Sequence, residues 1–465
     1  MHQTSFVHPY IPNSVPEIKQ KMLEEIGVSN IEELYRSIPE HLRLNRPLKL
    51  PQPFRSEYEL VRHIEGLLSK NISARERLSF LGAGCYQHYV PAICDEINSR
   101  GEFLTAYAGE PYEDHGRFQA LFEYESMMGE LLNMDVVNVP TYDGFQASAT
   151  AIRMACRITG RNKVILAGVI GKDKLSKIMD YVQPDIEVVQ VPFIESTGLI
   201  NVEILSSLIS RDCACIYFEN PNYFGTLEIN GEEISAIAHQ FDALSVVSVN
   251  PISLGVINPP VEYGADIVCG DIQPLGIHMY YGGGHGGFIA TQDDPRFVME
   301  FPSRLFGVAA TDVAGEYGFG DVAYERTSFA KREEGKEWVG TAAALWGITA
   351  GVYLALMGPR GMMELGEGIM QRTRYAIEKI GEIKGVKIPF YSIPHFNEFV
   401  VNFDQTGKST QTILEKLLQR DIFGGKDLSR EFSNLGQAIL FCVTENHNQK
   451  DIDLLVSTLA EVIHD

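Results

Sequence analysis

The stretch "ADIVCGDIQPLGIHMYYGGGHGGFIATQ", residues 265–292, sets two short apolar runs, 265–270 and 287–291, on either side of a loop rich in Gly and His. Such runs, short and partly β-branched, read as strands buried on both faces. The loop contains no lysine, and the gap extends beyond it: after Lys177 the next lysine is Lys331. This whole interval offers no primary amine.

Working upstream, "KVILAG" (163–168), "IEVVQVP" (186–192), "CACIYFEN" (213–220) and "LSVVSVN" (244–250) repeat the same apolar pattern, and helical patterns such as "DKLSKIMDYV", "NVEILSSLIS" and "EEISAIAHQF" lie between several of them. The alternation predicts right-handed βαβ crossovers and an α/β fold with a mainly parallel sheet. Sites in such sheets lie at the C-terminal ends of the strands, where "NPNYFG" (220–225), "NPISLG" (250–255) and the loop of 271–286 fall. Downstream, a helix in "EGIMQRTRYAIEKIGEI", strands in "NEFVVNF" and "AILFCVTE" and a closing helix in "DIDLLVSTLAEVI" predict a small α+β domain. At the N-terminus, "SVPEIKQKMLEEIG" predicts a helix capped by Ser14 and ended by Gly27. "SIPEHLRLNRPLKLPQP" (37–53) reads as an extended arm, because its prolines interrupt regular structure. Three parts follow: N-terminal helices and arm over 1–70, a large domain over 71–365 and a small C-terminal domain over 366–465.

The chain has 465 residues, with 39 basic against 61 acidic side chains and a formal charge of -22, which disfavours nucleic-acid backbones as partners. Its seven cysteines are odd in number, scattered and without zinc spacing, so no metal is expected and the thiols indicate a reducing compartment. The first residues lack the basic and apolar regions of a secretory signal, and a cytoplasmic location is expected. Thr341–Gly358 is eighteen residues without a charge, at the lower edge of a membrane span. Its Ala and Gly content, the lack of a second span and the flanking Glu333, Glu334 and Glu337 predict a buried interdomain helix instead, and no membrane partner.

A large parallel-sheet domain followed by a small α+β domain suits pyridoxal-phosphate enzymes, and several blocks sharpen the reading. "FLGAGCYQHYVPAICDEINSRGEFLTAY" (80–107), "FEYESMMGELLNMDVVN" (122–138), "TYDG" (141–144), "NPNYFG", "NPISLGVINPPVEYGADIV" (250–268), "FNEFVV" (396–401) and "CVTE" (442–445) resemble glycine dehydrogenase (decarboxylating) subunit 1. These are the alpha, or N-terminal-half, chains of the glycine cleavage P-protein, and the resemblance covers essentially the whole sequence. It implies a PLP-dependent transferase-like, fold type I architecture. It also implies a beta-type partner that carries pyridoxal phosphate on a Schiff-base lysine, in a homo- or hetero-oligomer. In the family the reaction decarboxylates glycine and passes the aminomethyl group to the lipoyl arm of the H-protein. Aligning "GADIVCGDIQPLG" with the beta pattern places Gln273 at its His and Pro274 at its Lys, so the resemblance implies no covalent cofactor and no catalytic base here. Departures at 107–116, 326–344 and Asn250 lean towards altered chemistry. They leave open a divergent paralogue acting on another small amino acid and a non-catalytic scaffold subunit.

The candidate cofactor-binding or pocket residues each carry a plainer alternative. Tyr86, His88 and Tyr107 are placed to reach a partner's cofactor, or are core aromatics with buried hydrogen bonds. Tyr142, Asp143 and Gly144 follow a strand and open a helix whose N–H groups can take a phosphate, or form an Asp N-cap with no ligand. Asn220 and Asn222 end a central strand, as site or turn residues, and Asn250 and Gln273 end two more. His278 and His285 are pocket donors or structural histidines. Arg326 opens the altered 326–344 segment.

Overall fold

Seven strands form the central sheet: β1 (Val136–Val137), β2 (Lys163–Ala167), β3 (Glu187–Val191), β4 (Cys213–Glu219), β5 (Leu244–Val249), β6 (Ile267–Asp271) and β7 (Gly287–Thr291), in the order β1-β7-β6-β5-β4-β2-β3. This is a computed structural model, and it describes residues 7–8, 10–104, 115–283, 285–336 and 343–464. The pairs β2/β3, β2/β4, β4/β5 and β5/β6 are parallel, while β7 runs antiparallel to β6 and β1. The apolar runs are strands because both faces are covered: Ala214 and Tyr217 pack into one core cluster, and Ile216 and Phe218 into another. The hairpin β8 (Phe306–Ala310) and β9 (Tyr317–Asp321) follows. A three-stranded antiparallel sheet of β10 (Glu398–Asn402), β11 (Lys426–Asp427) and β12 (Ala438–Cys442) then builds the C-terminal part.

Chain contacts divide the molecule into two units, Met1–Asn71 and Ile72–Asp465. In the first, helix α1 (Pro16–Ile26) ends at Gly27 in the left-handed region (φ 80°) as expected, but Ser14 does not cap it. Pro16 at the first turn moves the cap to Val15, and the Ser14 hydroxyl donates to the Ile11 carbonyl instead. Helix α2 (Glu57–Leu68) buries none of its residues. The arm is apolar and exposed, with Leu48 61% and Leu50 69% accessible.

In the second unit, helix α3 (Gly144–Thr159) packs on β6, and helix α4 (Lys172–Val182) lies against α3. Helix α5 (Ala344–Gly381) holds the apolar segment from Ala344 on and most of the helix predicted after it, broken where Gly358 takes φ 60° ahead of Pro359. Its first half is buried through Ala344, Ile348 and Tyr353, and no helix of the described residues is long and apolar enough to cross a membrane. The C-terminal sheet meets the large sheet at a backbone seam. Phe396 N–H donates to the Gly225 carbonyl (3.0 Å), Leu227 N–H donates to Pro394 (2.9 Å), and any side chain at 225 would collide with the Glu398 carbonyl.

Candidate functional site

The C-terminal ends of β4, β5 and β6, the start of α3 and α4, and Glu398 of β10 enclose a cavity of about 110 Å³. Of the candidates from sequence, Tyr86, Gly144, Asn222 and Asn250 line it, together with Pro274. Asn250 accepts from Ile252 N–H (3.0 Å), and its buried Nδ2 has no hydrogen-bond partner. Asn222 is buried and donates to the Gly198 carbonyl (2.9 Å).

The cavity's strongest charges were invisible in the motif reading. Lys174 projects from α4 to Glu219 (2.6 Å) and donates to Ser248 Oγ (3.0 Å), and Tyr217 donates to the same Glu219 (2.9 Å). Burial disfavours the Lys174 ammonium, but the charge of Glu219 outweighs it and holds the group above the usual lysine range, with Tyr217 and Cys269 adding to the effect. Across the cavity, Glu398 accepts from Ala83 N–H (2.6 Å) and from the Tyr86 hydroxyl (3.0 Å). Burial pushes Glu398 up to about 7 against those hydrogen bonds, which favour its carboxylate.

The third carboxylate, Asp271, closes the helix N-terminus. Its Oδ2 accepts from Gly144 N–H (2.8 Å), and Oδ1 accepts from Gln273 N–H (2.8 Å). Asp143 acts as the N-cap, accepting from Gln146 N–H (2.7 Å), while the side chain of Tyr142 is exposed.

The remaining candidates lie away from the cavity lining. Asn220 is a strand-end brace, accepting from Glu228 N–H (3.1 Å). Gln273 is buried, bridging the backbone of Tyr86 and Ile277. His88 pairs with Glu445 (2.8 Å), whose burial is outweighed by the histidine, so that its carboxyl sits below the usual range. His278 bonds Asp95 (2.9 Å) and Arg75. His285 contacts Asp271 (3.3 Å). Arg326 pairs with Asp293 at a separate cavity of about 490 Å³. Tyr107 lies outside the described residues, and among those described no group of His, Cys, Asp and Glu is placed to hold a metal.

The large sheet, its strand order and a polar cavity at the strand ends define a fold type I pyridoxal-phosphate-type architecture. A sphingosine-1-phosphate lyase from Burkholderia pseudomallei, 15% identical, shares the fold with TM-score 0.66 over 92% of this chain and 94% of that chain. The profile of the glycine cleavage system P-protein family matches residues 8–459. A probable glycine dehydrogenase (decarboxylating) subunit 1 from Staphylothermus marinus is 40% identical, covering 98% of this chain and 99% of that protein. Its counterpart from Carboxydothermus hydrogenoformans is 40% identical over 97% and 99%. A glycine decarboxylase (P-protein) solved in inhibitor-bound form is 31% identical with TM-score 0.82, over 98% of this chain and 100% of that chain. The chain belongs to the glycine cleavage system P-protein family.

Pyridoxal phosphate, the cofactor this architecture implies, does not fit the cavity. The N–H of Gly144 that would meet a phosphate is already bonded to Asp271, and Asp173, Glu219, Asp271 and Glu398 line a space in which Lys174 is the one cationic side chain among the described residues. Pro274 stands where the resemblance places the anchoring lysine, and Lys174 is engaged by Glu219. Pockets for drug-sized ligands run to roughly 300–1,000 Å³, well above the about 110 Å³ present.

Proposed function

We propose that this chain is the alpha-type subunit of a glycine-decarboxylating enzyme, with the reactive centre on a homologous beta-type subunit that holds pyridoxal phosphate through a lysine. The observation that carries this reading is the filled helix N-terminus: Asp271 occupies the Gly144 donor that a phosphate would need, in a chain whose family uses that cofactor. The cofactor supplies the electron sink for decarboxylation. This chain contributes surface: one wall of the shared centre and part of the approach for the lipoyl arm of an H-protein.

The N-terminal unit supports an assembly. With α2 burying nothing and Leu42, Leu44, Leu48 and Leu50 all exposed, it carries much apolar area that its own packing leaves uncovered, the composition of a segment that lies on another subunit. Obligate interfaces bury about 2,000 Å² or more.

Combining the chain with a lysine-bearing beta-type partner and H-protein is expected to produce exchange of bicarbonate into the glycine carboxyl group, with neither chain active alone. Tight association with background exchange would redirect the reading to another small amino acid as substrate. A monomer that ignores the partner would remove it.

A further inference from the structure

A second cavity lies at the opposite end of the sheet from the Lys174–Glu219 pair. Strand β7 runs antiparallel to β6 and β1, so Thr291, its last residue, pairs with Ile267 and Val136, the first residues of those strands. Past Thr291 a cavity of about 490 Å³ opens among the helix His115–Leu132, the residues around β1 and the β8–β9 hairpin. That volume falls within the roughly 300–1,000 Å³ of small-molecule pockets.

The helix supplies Glu125 to the buried side of this space. Glu125 is 8% accessible; its Oε2 accepts from Phe306 N–H (3.2 Å), and its buried Oε1 has no hydrogen-bond partner among the described residues. Burial holds the carboxyl well above the usual range, with the Phe306 N–H working against it. A buried carboxyl with one oxygen unmet is costly until a donor reaches it. Phe122, Val137, Val298 and Phe306 form the apolar part of the lining. The exposed Glu130, Asp135 and Asp293 form its outer, acidic part, where Asp293 N–H donates to Asp135 Oδ2 (3.0 Å). Arg326 is the one cationic side chain of the lining among the described residues, and Asp293 engages it.

We propose that this cavity binds a small aliphatic amine, with the ammonium group donating to Glu125 and the hydrocarbon stem lying against Phe122 and Phe306. The unmet oxygen is an acceptor without a donor, and an ammonium carries three N–H donors. The acidic rim, in a chain of formal charge -22, repels anions and draws cations inward. A metal ion is disfavoured, because among the described residues no group of His, Cys, Asp and Glu is placed to hold one. The other way to satisfy Glu125, as a protonated carboxyl donating to a neutral carbonyl, leaves the three rim carboxylates without a part. A second ammonium would meet that rim, so a diamine is favoured over a monoamine.

Titration calorimetry of the full chain at neutral pH with putrescine (a four-carbon diamine), butylamine and the uncharged butyramide tests the site. Putrescine is expected to bind more tightly than butylamine, and butyramide to give no saturable heat. Glu125→Gln keeps an acceptor for Phe306 N–H and is expected to weaken both amines about tenfold or more, as loss of a charge-assisted hydrogen bond does, with an unchanged circular dichroism spectrum. Asp293→Asn alters the exposed rim alone and releases the Arg326 guanidinium, so it is expected to weaken putrescine more than butylamine; this variant keeps the test open where Glu125→Gln fails to fold. No saturable binding of either amine at millimolar concentration, butyramide binding as well as the amines, or amine binding unmoved by both substitutions would overturn the proposal.

Discussion

Glu219 and Glu398 face the same cavity from opposite sides, one at the end of β4 in the large sheet, the other at the start of β10 in the small one. Glu219 is met by an ammonium, Lys174, at 2.6 Å. Glu398 is met by neutral donors alone, a backbone N–H and a phenol. A cation compensates a buried carboxylate at the cost of desolvating two charges, whereas neutral donors leave the carboxyl poised to take up a proton instead. One wall of the cavity is therefore a compensated ion pair, and the other is a carboxyl raised towards neutral pH.

The largest effect is expected from breaking the charged wall. Lys174→Ala strands Glu219 without its partner, and loss of one member of a buried pair costs about 3–5 kcal/mol; denaturant unfolding would read it. Adding Glu219→Gln should recover a good part of that loss, and full additivity of the two changes would show that the pair is not coupled.

A smaller effect should sharpen the neutral wall. A carboxyl raised to about 7 in the fold keeps its proton when the unfolded chain has lost it. Its contribution is thus fully present below the ordinary value of 4.5 and falls as pH rises to about 7. Gln at 398 can accept from Ala83 and donate to Tyr86, so Glu398→Gln should flatten this decline, by about 1–3 kcal/mol across that window. His285, raised from 6.5 to about 10, adds a loss of stability over the more alkaline window between those values, common to wild type and variant. An unchanged slope between pH 5 and 7 in Glu398→Gln would remove Glu398 as its source.

The smallest signal is a null one. Borohydride treatment of the chain with pyridoxal phosphate is expected to leave no stoichiometric pyridoxyl-lysine, because Lys174, the one amine that lines the cavity among the described residues, is held protonated by Glu219. A single modified Lys174 would show that the pair opens.

Much of this architecture was legible locally. The apolar runs at 213–219 and 244–249 became central strands, since short, largely apolar runs between helical patterns are what strands buried on both faces require. The place of Pro274 came from the resemblance, through alignment with the beta pattern, and not from the local pattern. Lys174 escaped because its helix read only as a crossover between strands, yet Lys174, Ile178 and Val182 form an i, i+4, i+8 stripe, and the last two are buried. That spacing was the available signal. The partnership of Gly144 with Asp271 spans 127 positions, and that of Ala83 with Glu398 spans 315; no local periodicity encodes either. Arg326 and His278 drew attention by residue type, and both are engaged by surface carboxylates, Asp293 and Asp95.

The seam at Gly225 bears on how force passes through the molecule. With the backbone of 225–227 hydrogen-bonded to 394–396 and no room for even a methyl group between Gly225 and Glu398, this junction cannot serve as a hinge. A push delivered to the C-terminal sheet is conveyed to the strand ends as through a welded joint. The C-terminal sheet and the strand ends that line the cavity therefore shift together, and a displacement of one is felt by the other.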